Sequence, residues 1–218
     1  MKNNFKYFLI IVFFIFYSLQ NVKANEPFVF NVTEIEILED GNQINGYKGG
    51  TVTAEDGSKI IADNFFYNKL TNILEAVGNV KYIDELRNSI INADKAVYFK
   101  NQEKVFTEGN SRAENKNNTI TAENLEYDKI NNIFKAKKNA EIVDFEKNSK
   151  IYADEITYLK NEEKVFTNGD TKALIEEKYI FNSKNVSYLR EDDQLFSQKK
   201  STVIDDSGNI YELANFLY

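Results

Sequence analysis

The chain has 218 residues, 42% hydrophobic and 14% aromatic, with one proline and a formal net charge of −7. It contains neither cysteine nor histidine, which excludes disulfides, thiolate chemistry, imidazole bases and metals held by Cys or His. Its acidity argues against a nucleic-acid partner, and its apolar content suffices for one elongated domain or two small ones.

At the start, Lys2 and Lys6 precede an apolar-aromatic run from Tyr7 to Leu19 that only Ser18 interrupts. Val22-Lys23-Ala24 then places small residues at the −3 and −1 positions of a cleavage site. Residues 1–24 read as a secretory signal peptide, because the run is shorter than the roughly 20 residues that span a bilayer. A mature domain over residues 25–218 loses Lys2, Lys6 and Lys23 and becomes more acidic.

That domain is repetitive. Ile60-Ile61-Ala62-Asp63, Ile91-Asn92-Ala93-Asp94, Ile120-Thr121-Ala122-Glu123 and Ile151-Tyr152-Ala153-Asp154 align, followed by weaker copies at Ile180–Ser183 and Ile210–Leu213. Five positions after the small residue comes a tyrosine, in turn Tyr67, Tyr98, Tyr127, Tyr158, Tyr188 and Tyr218, at almost equal intervals. Eleven positions further on stands Gly78, Gly109, Lys138, Gly169 or Lys199. A degenerate earlier copy fits with Thr33, Glu34, Leu38 and Gly49, making about seven copies. Lys100–Gly109 and Lys160–Gly169, two copies apart, resemble each other best, so the deeper unit is a pair of copies.

Each copy reads as two strands joined by a polar turn, as at 68–72 and 128–132. The second strand alternates: Leu74, Ala76, Gly78, Val80 and Tyr82 share a face, as do Phe134, Ala136, Lys138, Ala140 and Ile142. The first strand changes parity, from Ile60 and Ala62 to Phe65 and Tyr67, and from Ile120 and Ala122 to Leu125 and Tyr127. A bulge just after each acid restores one face, and its recurrence at one height folds the stack into two facing antiparallel sheets. Small residues align at mid-strand (Ala76, Thr107, Ala136, Thr167, Ser197), flanked by larger Leu74, Val105, Phe134, Val165 and Leu195. They predict an apolar space between the sheets that side chains do not fill.

The acidic column Asp63, Asp94, Glu123, Asp154 could bind calcium or hydrolyse sugars. Calcium rolls use shorter Gly-rich repeats, and a catalytic pair needs unlike environments that repetition denies. Acids that cap each bulge are the simpler reading. The tyrosines read as rings at the sheet edge with hydroxyls in water, and not as a stacking platform. The glycines mark bends or close backbone approach, with no phosphate cradle leading into a helix. No cofactor or metal is expected.

Ile-x-Ala-Asp-x-x-x-Tyr, a polar turn and a strand ending Gly78-Asn79-Val80 resembles the OstA-like repeats of the lipopolysaccharide transport family. The resemblance covers about residues 28–218, and the family includes LptA, LptC and the periplasmic domain of LptD. It implies an open β-jellyroll whose apolar interior carries lipid acyl chains across the periplasm toward the outer membrane, without enzymatic activity. The stretch Phe28–Ile37 looks most like the N-terminal periplasmic part of LptD, an organic solvent tolerance protein, with the chain truncated before its barrel. LptD proteins often carry cysteines tying this domain to the barrel, and this chain has none. The rivals are an LptA-like soluble bridge, an adhesive β-solenoid without lipid, and a glycan-processing enzyme. The expected groove lining is Ile60, Ala62, Phe65, Leu74, Ile91, Ala93, Val105, Ile120, Ala122, Leu125, Phe134, Ile142, Ile151, Ala153, Ile156 and Val165. Implied partners are lipopolysaccharide, other Lpt jellyrolls added at sheet edges, and an outer-membrane barrel with its plug lipoprotein.

Overall fold

The computed structural model describes residues 26–218, so the expected signal peptide lies outside the described residues. The chain is an antiparallel meander, and α-helix is absent among the described residues. Its strands are β1 (Phe28–Leu38), β2 (Gln43–Ala54), β3 (Lys59–Ala62), β4 (Asn64–Asn68), β5 (Ile73–Asp84) and β6 (Ser89–Phe99). There follow β7 (Lys104–Glu114), β8 (Asn118–Asp128), β9 (Ile133–Asp144), β10 (Ser149–Leu159) and β11 (Lys164–Ile175). Shorter pieces complete it: β12 (Tyr179–Lys184), β13 (Ser187–Leu189), β14 (Gln194–Ser197), β15 (Ser201–Ile204), β16 (Ile210–Leu213) and β17 (Phe216–Leu217). From β5 to β11 each strand pairs with the next, so the expected all-β meander of two-strand copies is what forms.

Every long strand bends at one height. Between β5 and β6, Ala76 faces Ala96 while Val80 faces Ala93, which leaves Gly78 and Asn79 opposite Asp94 alone. In β10 the shift falls between Ala153 and Glu155. The register shift is therefore at the acid itself, not after it, and the extra residue lies opposite, in the second strand. The second strands bend as well, which alternation concealed. Buried positions jump by three in the first strand, Ala93 to Ala96, and reverse parity. They jump by four in the second, Thr107 to Ser111, and keep it.

The bend folds the ladder so that its two halves face each other. Tyr82 of one half meets Tyr98 and Tyr127 of the other at ring-centroid distances of 6.4 and 6.2 Å, and Phe28 meets Tyr67 at 4.9 Å. One continuous core runs between them from Phe28 to Phe216. The expected empty space at the small residues is not there. Those residues sit beside the bend, where the halves converge. Thr107 hydrogen-bonds Ser111 across it at 2.8 Å, and Thr167 and Thr171 do so at 2.7 Å. Ala136 is fully buried. Small side chains are what this corner admits, and larger ones would overpack it.

Candidate functional site

All the expected lining residues except Ala153 are buried, and Ala153 is half-buried against the same core. They are Ile60, Ala62, Phe65, Leu74, Ile91, Ala93, Val105, Ile120, Ala122, Leu125, Phe134, Ile142, Ile151, Ile156 and Val165. In this closed arrangement all of them but Ala93, which lies at the bend, belong to one packed interior, with Tyr127 stacked on Phe134 at 4.3 Å. An acyl chain lying among them requires the halves to separate. Which edge of the sandwich can part is therefore the functional question.

The bend edge cannot, because each long strand crosses it. The acids serve this edge. Asp63 accepts from Asn79 Nδ2 at 2.9 Å, Asp94 from Asn110 at 2.8 Å and Glu123 from Asn139 at 3.2 Å. Gly78, Gly109 and Gly169 lie beneath Asp63, Asp94 and Asp154, where a Cβ would stand 2.2 to 2.4 Å from a carboxylate oxygen. Their φ angles of +73° to +87° also suit glycine. The fourth copy has Lys138 there at φ +63°, paired with Glu123 at 3.5 Å. This column clasps the bulge, in agreement with the capping reading.

The opposite edge is a seam between two lips of turns, and only side chains cross it. Two positions after each tyrosine stands a cation: Lys69, Lys100, Lys129, Lys160 and Arg190. Five positions after each tyrosine stands Asn72, Glu103, Asn132, Glu163 or Asp193, with φ between +50° and +57°. The backbone N–H of each cation donates to the preceding copy: Lys100 to Asn72, Lys129 to Glu103, Lys160 to Asn132 and Arg190 to Glu163, at 3.0 to 3.2 Å. This spine fixes one lip, from which the side chains reach the other. Sequence reasoning missed this column, although its period equals that of the tyrosines.

Lys129 is the most enclosed of these cations, its side chain wholly shielded from solvent. Its Nζ lies 2.8 Å from Asp56 on the far lip, 2.8 Å from Glu103 and 4.6 Å above the Tyr98 ring. Arg87, from the far lip, bonds Lys129 O at 2.9 Å and pairs with Asp84 at 3.0 Å. Lys160 donates to the far-lip carbonyls of Arg87 and Asn88. Arg190 bridges Asp144 at 2.6 Å and Glu146 at 2.5 Å across the gap, and Glu163 at 3.0 Å on its own lip. Burial alone would raise the Asp56 pKa, but hydrogen bonds from Lys129 and Ser58 outweigh it and hold the carboxyl at about 2. Burial lowers the Lys160 ammonium, whose seam contacts are carbonyl and hydroxyl oxygens.

The tyrosines end here and not in water. Tyr67 bonds Asn72 at 2.8 Å, Tyr98 bonds Glu103 at 2.5 Å, and Tyr127 bonds Asn132 at 3.2 Å. Tyr158 accepts from Asn118 at 3.1 Å and donates to Glu163 at 3.4 Å. Their rings are core, so the edge expectation is corrected: the copies put the whole ring between the halves and tie its hydroxyl to the lip. Past Arg190 the Lys147–Asp193 pair crosses at 2.9 Å, beside a cavity of about 580 Å³ between the turns 146–149 and 175–178, residues 188–195 and Tyr218. Beneath it lies a second cavity of about 10 Å³, at the threshold for one water.

The family described as OstA-like protein matches the chain over residues 29–184. No curated protein sequence matches it. Among solved structures, it is similar to LptH of Pseudomonas aeruginosa, the LptA-homologous periplasmic component of a lipopolysaccharide transport device. The identity is 16%, the TM-score 0.47, and the alignment covers 52% of this chain and 83% of that one. The TCP10 domain of Danio rerio CPAP, solved with a STIL peptide, aligns at 10% identity and a TM-score of 0.19, covering 83% and 98% of the two chains. At such scores neither alignment bears on function.

Proposed function

From the premise that the chain belongs to the OstA-like family, we propose that it carries lipopolysaccharide in the periplasm, with lipid A acyl chains lying between its two sheets. The observation that carries this reading is the seam: one apolar core shared by all copies, closed along one edge by side chains alone. Burying a chain of a dozen methylenes from water is worth roughly 10 kcal/mol at about 0.8 kcal/mol each. Breaking a buried ion bridge costs about 3–5 kcal/mol. The apolar gain exceeds the cost of one bridge, so an entering chain can hold the seam apart locally. Passing from one jellyroll interior to the next is near neutral, as a relay requires, and no step of it calls for catalysis.

The finer reading is the periplasmic domain of an LptD at the outer membrane, with a cleaved signal peptide over 1–24 and the jellyroll over 25–218. Its alternative is a free LptA-like bridge. Other Lpt jellyrolls would add to the edge strand β1, whose Val29, Ile35 and Ile37 side chains are exposed. Cell fractionation separates the two: a barrel-linked protein sediments with outer membranes, whereas a bridge stays with periplasmic contents. The transport reading itself is tested by placing the photocrosslinker p-benzoylphenylalanine at Phe134 in cells. A lipopolysaccharide adduct is expected, and Ala122→Asp should reduce it while leaving β-content intact. Absence of any adduct at interior positions would sink the lipid reading and leave the adhesive solenoid.

A further inference from the structure

We propose that the seam edge docks on the surface of a lipid bilayer, with Leu70, Leu86, Ile130 and Phe145 entering the head-group region. The inference goes beyond the lipid-carrying reading and does not need it, because it concerns this edge and not the interior. Away from the outermost strands β1, β16 and β17, these four are the large apolar side chains of the described residues that stand more than half exposed, between 56% and 78%. Single apolar residues scattered over a surface call for no explanation. These are not scattered. All four stand in turns of the seam, Leu70 and Ile130 on the cation-bearing lip, Leu86 and Phe145 on the far lip.

Their order is regular. On each lip a polar turn separates the two apolar ones: Asn101 comes between Leu70 and Ile130, and Lys116 between Leu86 and Phe145. The apolar turns of one lip are four strands apart, roughly 19 Å at about 4.8 Å per strand. Each apolar residue is also next in sequence to one that crosses the seam. Lys69 pairs with Glu26 at 3.1 Å, and Arg87 donates to Lys129 O at 2.9 Å. Lys129 pairs with Asp56 at 2.8 Å, and Glu146 takes Arg190 at 2.5 Å. One of each two neighbours thus closes the seam while the other is held out in solvent. Closure alone does not ask for an apolar residue there, since the turns at Asn101 and Asn161 manage with a polar one.

The spacing decides what this edge meets. A stable protein interface needs a contiguous, well-packed centre, and here polar turns interrupt the row. A bilayer is fluid and takes in separate apolar points at any spacing, each contributing by the area it buries. The cations beside these points are engaged in bridges, and the chain is acidic. Apolar insertion, and not attraction to anionic head groups, therefore drives the contact. Docked in this way, the seam lies along the lipid surface, its bridges one residue from the inserted side chains.

The test is flotation of the purified chain with phosphatidylcholine vesicles. Leu70→Asn, Leu86→Asn, Ile130→Asn and Phe145→Asn combined should leave the melting temperature unchanged and weaken binding by roughly tenfold or more. Leu86→Asn alone should weaken it roughly threefold, the partial burial of one side chain. Ile35→Asn with Ile37→Asn, at exposed positions of β1, should change nothing. A parent that does not float overturns the docking. So does binding that survives the four substitutions, which would leave the row to a protein partner, or binding that falls equally with the β1 pair. Because the chain has no cysteine, Leu86→Cys and Glu108→Cys each accept a single nitrobenzoxadiazole label. Vesicles should shift the emission at position 86 to the blue and leave position 108, toward the bend, unaltered. No shift at 86, or equal shifts at both, overturns the seam-first orientation. A photocrosslinker at Phe134 keeps the two readings apart: a lipid adduct without flotation sinks the docking and spares carriage, and flotation without an adduct does the reverse.

Discussion

The two long edges of the sandwich are held by different means. At the bend the chain itself joins the halves, and the clasp keeps one plan: an acid over a glycine with an asparagine beside it at Asp63 and Asp94, with Lys138 replacing the glycine at Glu123 and Asp170 the asparagine at Asp154. At the seam no backbone crosses, and each copy closes it differently, through carboxylates at Lys129, carbonyls at Lys160 and a three-way bridge at Arg190. The more uniform geometry belongs to the edge that the backbone closes. The more variable chemistry belongs to the edge that side chains alone close.

That contrast can be broken most sharply at Lys129. Lys129→Met leaves Asp56 and Glu103 without the cation they share. Since both acids keep about a quarter of their side-chain exposure, the cost should fall near the low end for broken buried bridges, about 3 kcal/mol. For a domain of this size that lowers the melting temperature by roughly 6–12 °C. A shift below a degree would mean the seam contributes nothing to closure.

Acid should open the same place by a smaller step. The folded Asp56 pKa is about 2, depressed from 3.8, so its contribution is complete above pH 4 and is lost as pH falls from about 4 to 2. Glu103 is shifted in the same direction, against its burial, by Lys100, Lys129 and Tyr98. Melting temperature followed from pH 5 to 2 should therefore drop in the parent protein and less steeply in Lys129→Met. Parallel curves would detach these carboxyls from the lysine.

The bend is probed by Gly109→Ala. The left-handed φ of +73° costs a side chain about 1–2 kcal/mol, and the new Cβ would stand 2.4 Å from Asp94 Oδ2. Adding Asp94→Ala should return the part due to the clash and not the part due to φ, so a double-mutant cycle by urea denaturation separates them. Smallest is Asn79→Ala, which removes an exposed bond to Asp63 and a residue tolerant of φ +48°, for about 0.5–1 kcal/mol. If that substitution rivalled Lys129→Met, the ranking of the two edges would be reversed.

The bend was largely legible in the sequence and the seam was not, for a physical reason. Parity exposes a strand that gains an odd number of residues, as at Asp94, and is blind to the even jump from Thr107 to Ser111. The small residues were legible as a row, but whether a row of alanines means room or closeness depends on the separation of the halves. Strand periodicity carries no such information. The cations of the seam lie in turns, where apolar alternation stops. Their partners across the gap, such as Asp56 for Lys129 or Asp144 for Arg190, lie more than a full copy away along the chain. The repeated Tyr-x-Lys spacing was there to be read, but without the fold it looks like solvated charge.

The alternation of Asn and Glu along the lip also constrains how such a chain can change length. Lys129 reaches back to Glu103 and Arg190 to Glu163, while Asn72 donates forward to Asn101 and Asn132 to Asn161. Losing a single copy would set Glu beside Glu or Asn beside Asn, and would strand an enclosed lysine without its acid. Losing or duplicating a pair of copies, the spacing that separates Lys100–Gly109 from its best match Lys160–Gly169, keeps Asn and Glu alternating between Asn72 and Glu163. Along this lip a change of two copies is thus less disruptive than a change of one.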